Sequence, residues 1–441
     1  MRRSDRATAW PVATAVVLLA AGYVLTLATF YPGIMTYDAK YVYLDIAKHA
    51  LGDWQSPVMS VLWSWIDPVA PGSASMFLLI ATSYWLGFGL FSFAIVRRSP
   101  CLALLVPFLA LLPPAFVFIG IIWRDVLFAV TWLLAAAIAY AAGQQDTRLR
   151  VALQILALAL CALGVLFRPN ALIAAAILAV YIVWPARFSW KRTAVLLLPL
   201  ALAFFAFVQV IYYGALAATR QHPLQSIMVF DLGGISYFAQ ENQFPIVWTD
   251  AERQQLLNTC YRPTEWDIYW RLQPCDFVMR KLERDKNLFG TPAVTGAWMR
   301  AVLHHPIAYL EHRGAFMWNF LAGANLTMWV ADIEHLPNNV FADRPLFAAV
   351  RSVHDILKPT LLFRAGAWLL VCIAICGFAW RRRGTPEGAF AIGVCGSAAL
   401  YVLTFFFVGV ASDFRYAYWA VLAAIAGGVV VAVKPTKRRP P

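Results

Sequence analysis

Two long apolar runs late in the chain flank a short basic turn. Residues 361–380 read LLFRAGAWLLVCIAICGFAW, residues 381–388 read RRRGTPEG, and residues 389–410 read AFAIGVCGSAALYVLTFFFVGV. Each run has about the 20 residues that a helix needs to cross a bilayer. Three consecutive arginines are typical of a turn on the cytoplasmic side. The stretch therefore predicts a helical hairpin in a membrane.

The composition of the whole chain supports the same class. Its 441 residues are 61% hydrophobic and 13% charged, whereas soluble domains are roughly 45–50% apolar and about 25% charged. This excludes a soluble enzyme, and it excludes intrinsic disorder, which requires low hydrophobicity. We expect an all-α polytopic membrane protein with about ten transmembrane helices. The predicted spans are 9–30, 73–96, 101–122, 126–143, 151–167, 171–186, 194–216, 361–380, 389–410 and 418–433.

The distribution of charge predicts the orientation of these spans. If ten spans alternate, one side holds both ends of the chain and four turns, at 97–100, 144–150, 187–193 and 381–388. That side contains 17 of the 36 Lys and Arg residues but only three of the 23 acids, which is the bias expected of the cytoplasm. Topology thus accounts for the net charge of +13, and we expect no nucleic-acid partner.

The spans divide the chain into three parts. Residues 1–216 form an N-terminal transmembrane module of about seven helices, with a first outer loop at 31–72. Residues 217–360 form an outer, mostly helical segment, and residues 361–441 form a C-terminal module of about three helices with a basic cytoplasmic tail. Within the outer segment, the apolar, Trp-containing stretch 315–330 is predicted to be an interfacial or re-entrant helix rather than an eleventh span.

The first outer loop contains the strongest candidate for a catalytic group. Thr36 can cap a helix over about 37–51, and Gly52 can end it. On this helix one face would carry, at steps of three and four residues, Asp38, Tyr41, Asp45 and His49. Asp38 lies in the first turn, where the helix dipole favours an ionised carboxylate, as a general base requires. The alternative is a solvated amphipathic face without function.

Three outer turns each offer an arginine near the bilayer surface, at Arg124, Arg168 and Arg415. Arg binds phosphate in a bidentate manner, so these turns are candidate phosphate sites. We favour Arg415, which the phenol of Tyr416 follows, then Arg168 and then Lys40. The alternatives are that Arg124 only pairs with its neighbour Asp125 to cap a hairpin, and that Arg168 only extends to lipid head groups.

The cysteines fit an outward-facing central segment. Five cysteines lie in predicted spans and are interpreted as small packing residues. Cys260 and Cys275 are the only pair in the outer segment. An oxidising exterior favours a disulfide between them.

The outer loops resemble those of the C-type (GT-C) glycosyltransferases, in particular the bacterial group similar to the lipid A aminoarabinose transferase and the protein O-mannosyltransferases. The residues that carry the resemblance are an acid just past the first span, the Gly52-Asp53-Trp54-x-x-Pro57 motif, Phe167-Arg-Pro-Asn170, and Arg415-Tyr416 before the last span.

This resemblance implies roles for two acids. Asp38 would be the catalytic base towards the acceptor, and Asp125 a second catalytic acid that positions the acceptor or supports the active loop. Ala39 stands where many members of the family have another acid, which argues against a metal-binding pair. The sequence indicates no metal ligands, and it leaves open a divalent cation, Mg²⁺ or Mn²⁺, as the cofactor.

The function expected from the residues and the resemblance is inverting transfer of a sugar from a polyprenyl-phosphate donor to an acceptor on the outer face. The acceptor class is open among lipid A, O-antigen, another glycan and a protein. We expect the bacterial inner membrane, with the active site facing the periplasm. Two alternatives are a polymerase or ligase of surface glycan and a flippase or transporter of lipid-linked sugars. Transport is disfavoured because the span interiors lack charged residues.

Overall fold

The computed structural model describes residues 3–48, 50–328 and 344–434, and regular structure within them is almost entirely helical. His49 and residues 329–330 of the predicted interfacial stretch lie outside the described residues. The first module comprises α1 (Arg3–Phe30), β1 (Ile34–Met35), α2 (Tyr37–Lys48), α3 (Pro57–Ile66), α4 (Ser73–Ile95), α5 (Pro100–Leu109), α6 (Pro113–Phe116), β2 (Ile121–Ile122), α7 (Arg124–Ala142), α8 (Thr147–Phe167), α9 (Leu172–Val183) and α10 (Trp190–Gln209).

The remaining helices divide between the outer segment and the last spans. The outer segment comprises α11 (Leu224–Ala239), α12 (Asp250–Asn258), α13 (Phe277–Met279), α14 (Pro292–His304), α15 (Pro306–Ala322) and α16 (Pro345–Leu357). The last spans are α17 (Ala365–Trp380), α18 (Pro386–Val408) and α19 (Tyr418–Ala432), the last of them preceded by a 3-10 turn, Phe414–Ala417.

The predicted multi-pass helical membrane architecture is confirmed. Within the described residues, seven helical segments are long and apolar enough to cross a bilayer, and each overlaps a predicted span: Trp10–Phe30, Ser73–Ile95, Arg124–Ala142, Thr147–Phe167, Trp190–Ala215, Pro386–Val408 and Phe414–Ala432. The predicted spans at 171–186 and 361–380 correspond to shorter apolar helices, Pro169–Val183 and Ala365–Trp380.

The predicted span at 101–122 is wrong as a continuous helix. Helix α5 ends at Leu109, α6 has only four residues, and residues 121–122 are extended. Pro113 and Pro114 follow directly after the break. Proline lacks the amide donor of a helix interior and clashes with the preceding turn, so it begins a new helix here instead of continuing the old one.

The turns predicted to be cytoplasmic lie at one end of the helical bundle. Arg98 forms an ion pair with Glu387, and the Phe188 amide donates to the Arg383 carbonyl at 2.8 Å. These contacts join the turns 97–100, 187–193 and 381–388. The loops and turns predicted on the outer side meet at the other end, where the candidate site lies.

The outer segment packs directly on the last spans. Helix α11 packs against α14 and α15, and α15 also packs against α17 and α18. The stretch 315–330 begins in the C-terminal half of α15, where Phe316 and Phe320 are buried and Trp318 is 72% exposed. Helix α15 is therefore a packed amphipathic helix of the outer segment, and its buried face contacts the C-terminal module.

Candidate active site

A short parallel strand pair joins the first outer loop to the turn before α7. Ile34 in β1 pairs with Ile121 in β2. The Thr36 hydroxyl donates to the Ile122 carbonyl at 3.1 Å and accepts a hydrogen bond from the Ala39 amide at 3.2 Å. The predicted Thr36 cap of α2 is thus confirmed. As a result, the first turn of α2 lies beside the first turn of α7.

Arg415 is at the centre of the polar cluster formed at this junction. Its Nη1 donates to Asp38 Oδ2 at 2.7 Å, and its Nε lies 3.2 Å from Asp413 Oδ2. The guanidinium also lies over the Trp123 ring, 4.8 Å from the centroid. The Arg415 side chain is 12% exposed and that of Asp38 is 36% exposed. Asp38 is thus the solvent-facing partner of a largely buried cation.

Arg168 forms a second ion pair in the cluster. Its Nε lies 2.6 Å from Asp125 Oδ1, and both side chains are buried. The Arg168 guanidinium lies over the Tyr416 ring, 4.8 Å from the centroid. Asp125 thus pairs with Arg168. The alternative that Arg124 only pairs with its neighbour Asp125 is wrong, because consecutive side chains on a helix do not face each other.

Arg124 and Gln55 complete the cluster from the first loop. Arg124 Nη1 donates to the Trp54 carbonyl at 3.0 Å. Gln55 Nε2 donates to Asp38 Oδ1 at 3.4 Å, and its amide oxygen is buried and accepts no hydrogen bond from the described part of the chain. The Gly-Asp-Trp-x-x-Pro motif therefore places an amide beside the candidate base.

The two carboxylates that contact Arg415 have opposite pKa shifts. Burial raises the pKa of Asp38, but the charges of Arg415 and Arg124 and the Arg415 hydrogen bond outweigh it, so the pKa lies below its usual value. Burial raises the pKa of Asp413 to about 6; Arg415 opposes that shift and the Asp38 charge adds to it. Asp38 is therefore ionised at neutral pH, while Asp413 changes charge near pH 6.

The other residues predicted on α2 lie away from this cluster. The Tyr41 hydroxyl is hydrogen-bonded to that of Tyr37 at 2.9 Å on the exposed side. Asp45 lines a separate cavity of about 250 Å³ with Ser60 and Ser64, and burial raises its pKa. Lys40 leaves the helix about 200° around the axis from Asp38, since each residue turns about 100°. The predicted stripe therefore separates into different environments.

Several polar residues of the site were not selected from the sequence. Asp413 lies two residues before Arg415 in the turn Ser412–Tyr416, but nothing in the sequence of that turn distinguished it as a partner of Arg415. In the outer segment, the pairing of buried Asp231 with His312 and Arg313 was also missed. A single acid in the apolar run of α11 was the available signal, because an acid is almost never fully buried unless it is paired.

Cys260 and Cys275 are joined by a disulfide in the outer segment. Cys161, Cys372 and Cys395 are buried in the helical bundle.

The acids of the described residues do not form a three-ligand cation site. No group of three or more His, Cys, Asp or Glu side chains in ranges 3–48, 50–328 and 344–434 is arranged to hold a metal. Asp38 and Asp413 are instead both directed at the Arg415 guanidinium. The arginines supply the positive charge in this cluster.

Comparisons with known proteins found structural neighbours only. No protein-family model and no curated protein matches the chain. Among solved structures, it is similar to the apo oligosaccharyltransferase of Archaeoglobus fulgidus, with a TM-score of 0.39 and 10% identity over 95% of this chain and 50% of that one. This chain thus spans about half the length of the archaeal enzyme.

The chain is also similar to ArnT from Cupriavidus metallidurans. The apo state gives a TM-score of 0.33 and 15% identity over 97% of this chain and 78% of that one. The state bound to undecaprenyl phosphate gives a TM-score of 0.33 and 16% identity over 94% of this chain and 77% of that one.

Proposed function

We propose that the chain is a membrane glycosyltransferase that moves a sugar from a polyprenyl-phosphate donor to a hydroxyl of an acceptor, with inversion at the anomeric carbon. The active site is the cluster of Asp38, Asp125, Arg168, Asp413 and Arg415. The observation that carries the proposal is the ion pair between the partly exposed Asp38 and the buried Arg415.

The exposures of the carboxylates suggest where a donor phosphate binds. The Asp125 side chain is 5% exposed and that of Asp413 is 16% exposed, whereas that of Asp38 is 36% exposed. A phosphate that approaches Arg415 therefore displaces Asp38 most easily. Displacement frees the Asp38 carboxylate from its ion pair. The carboxylate then lies beside the bound phosphate, next to the sugar that the phosphate carries.

The freed carboxylate then acts as a general base. The acceptor oxygen attacks the anomeric carbon as Asp38 takes its proton, and the bond from that carbon to the phosphate oxygen breaks. The bonding electrons leave with the polyprenyl phosphate, whose charge grows in the transition state. Arg415 and Arg168 are placed to stabilise that charge. None of these steps is assigned to a divalent cation.

Asp125 and Gln55 act on the reacting groups through their neighbours. Asp125 holds Arg168 through Nε, which fixes the orientation of the guanidinium that binds the phosphate. Gln55 donates through its amide to Asp38 Oδ1, whereas Arg415 contacts Oδ2. Both are positioning residues in this proposal.

The proposed setting is the bacterial inner membrane with the cluster on the periplasmic face. The basic turns that contact each other through Arg98 and Glu387 lie at the opposite end of the bundle, and a basic excess marks the cytoplasmic side. A polyprenyl chain would then lie in the outer leaflet with its phosphate at the height of the cluster. The acceptor would approach from the periplasm.

The proposal is tested with Asp38→Asn and Arg415→Met in the full chain, reconstituted in nanodiscs. Asp38→Asn should lower transfer from a radiolabelled polyprenyl-phosphate sugar to native membrane extract by about 10²–10⁴-fold. It should bind undecaprenyl phosphate at least as tightly as the wild type, because Arg415 loses a competing carboxylate. Arg415→Met should weaken that binding about 10- to 100-fold.

Asp67→Asn is the matched control. Asp67 lies in the same outer loop but accepts hydrogen bonds from the Tyr43 hydroxyl and the Gly72 amide, so transfer and binding should stay near wild type. Wild-type transfer by Asp38→Asn, or a product with the donor's anomeric configuration, contradicts the proposal. Flipping of the lipid-linked sugar without transfer by the wild type would favour a transporter.

A further inference from the structure

The outer segment contains a fully buried ionic group. Asp231 Oδ1 lies 2.7 Å from Arg313 Nε and 3.2 Å from His312 Nε2, and all three side chains are 0% exposed. The Trp298 indole donates to Asp231 Oδ2 at 2.7 Å. Three helices, α11, α14 and α15, thus meet at one carboxylate.

The charges in this group are Asp231 and Arg313. Burial raises the pKa of Asp231, but Arg313 and His312 outweigh it and the pKa lies below its usual value. Burial lowers the pKa of His312, so its ring is neutral at neutral pH. Replacing a buried ion pair by well-packed apolar residues is often neutral or stabilising. Stability alone therefore does not explain the pair.

Arg313 has a second contact that leads towards the active site. Its Nη1 donates to the Gly409 carbonyl at 2.7 Å, and Gly409 follows the last residue of α18. The backbone at Gly409 lies close to α15, since a Cβ on Gly409 would lie 2.2 Å from the ring of Phe316 in that helix. Arg313 therefore fixes the point where the chain leaves α18, six residues before Arg415.

The residues between Gly409 and Arg415 are held by the outer segment at further points. The Trp266 amide donates to the Val410 carbonyl at 2.9 Å, and the Ser412 amide donates to the Thr264 carbonyl at 2.8 Å. The Asn325 amide group donates to the Ser412 hydroxyl at 2.7 Å. The backbone that presents Asp413 and Arg415 is thus shaped by contacts with the outer segment.

We infer that Arg313 is a positioning residue for the donor-phosphate site and acts through Arg415. It ties Asp231 to the Gly409 carbonyl and so sets the path of residues 409–415, which places the Arg415 guanidinium opposite Asp38. The outer segment is then part of the phosphate site without touching the phosphate. This inference rests on the proposed function, in which Arg415 binds that phosphate.

The consequence is a coupling between the two regions. If the outer segment sets the position of Arg415, then phosphate binding stabilises the outer segment in return, because linkage is reciprocal. Undecaprenyl phosphate should therefore slow amide hydrogen exchange in α15 and in residues 264–266 of the wild type. The same lipid phosphate should leave exchange in those residues unchanged in Arg313→Met.

The decisive experiment is a double-mutant cycle on the affinity of the full chain for undecaprenyl phosphate in nanodiscs. Arg313→Met alone should weaken binding about tenfold. Added to Arg415→Met, it should weaken binding hardly any further, because the effects of coupled residues are not additive. Arg98→Met is the matched control: it removes an ion-paired arginine at the far end of the bundle and should leave affinity unchanged.

Two milder variants cover the case in which Arg313→Met does not fold. Trp298→Phe keeps an aromatic ring but removes one donor to Asp231. Arg313→Lys retains the charge but offers one nitrogen in place of the two, Nε and Nη1, that contact Asp231 and Gly409. Both should weaken binding a few-fold, with an unchanged size-exclusion profile and again only when Arg415 is present.

The outcomes separate the two proposals. Equal weakening by Arg313→Met with and without Arg415, or unchanged affinity in folded Arg313 and Trp298 variants, overturns the positioning role alone. An Arg415→Met variant that binds undecaprenyl phosphate like the wild type overturns the proposed function, and the positioning role with it.

Discussion

At the residue scale, Arg415 is shared by two carboxylates with different environments. Asp38 is partly exposed and its pKa lies below the usual value, whereas the pKa of the more buried Asp413 is about 6. Below pH 6 Asp413 becomes neutral, and Arg415 keeps only Asp38 as a counter-ion. The positive charge offered to a phosphate therefore depends on pH.

This predicts a pH-dependent affinity for the donor. A polyprenyl-phosphate sugar is a diester without a proton to lose near pH 6, so it reports the protein groups. Its affinity for the wild type should fall as the pH rises through about 6, because ionised Asp413 then competes for Arg415. Asp413→Asn should bind with nearly constant affinity from pH 5 to 8, measured in nanodiscs.

Asp67→Asn should show the wild-type pH profile of donor affinity, since Asp67 lies outside the cluster.

The stability of the folded chain depends on pH with the same sign. The folded chain holds the Asp413 proton more tightly than the unfolded chain, in which the pKa of Asp413 is near 3.8. Stability from this group is therefore present at low pH and lost as the pH rises from about 4 to 6. If Asp413→Asn keeps the wild-type pH dependence near pH 6, that dependence belongs to another group.

At the scale of elements, the site depends on the strand pair that replaces part of a predicted span. The Ile34 amide donates to the Gly120 carbonyl at 2.7 Å, and a Cβ on Gly120 would lie 2.2 Å from the Phe30 ring. Only glycine allows the turn before β2 to approach α1 this closely. The break in the third span is therefore what brings the first loop to α7.

The disulfide-closed loop 260–275 is the second element that supports the site, because Thr264 and Trp266 lie on it and pair with residues 410–412. The double change Cys260→Ser and Cys275→Ser should lower transfer several-fold while the chain stays folded, since an open loop holds residues 410–412 less firmly. Transfer assays and size-exclusion profiles of both forms check this.

A labelling experiment tests the disulfide directly. Alkylating reagents should modify Cys260 and Cys275 only after a reductant is added, as read by mass spectrometry of peptides. Modification without a reductant would count against the bond and against its predicted oxidising location. Full transfer activity of the double serine variant would show instead that the loop holds its shape without the bond.

At the scale of the whole molecule, the outer loops gather at one end of the bundle and the basic turns at the other. Ion pairs occur at both ends, and in the described residues the outer end combines Arg168 and Arg415 with the partly exposed carboxylate of Asp38. This separation is what a membrane enzyme with a site in one leaflet needs, because a lipid phosphate stays at the depth of its head group.

Cysteine labelling tests this orientation. With the five free cysteines replaced by alanine, Val247→Cys, at a position 93% exposed in the outer segment, should react with an impermeant maleimide in intact spheroplasts. Gln144→Cys, in the exposed turn after α7, should react only after permeabilisation. The reverse pattern would invert the predicted topology, and labelling of both in intact spheroplasts would contradict alternation of the spans.

The sequence alone determined the membrane class, most of the spans and the arginine-bearing outer turns. Apolar length and the bias of Lys and Arg are local properties, so they can be read without knowing which helices touch. Asp38, Arg168 and Arg415 were also selected from their local positions in the outer loop and turns, whereas Asp125 was selected through the family resemblance.

Only the tertiary structure decided which of these groups meet. Asp38 and Arg415 are 377 residues apart, and no periodicity relates them. The pairing of Asp125 with Arg168, the separation of Asp45 from the cluster and the contact of Arg313 with Gly409 have the same origin. Long-range contacts depend on how whole helices pack, and side chains that are neighbours in the sequence leave a helix in different directions.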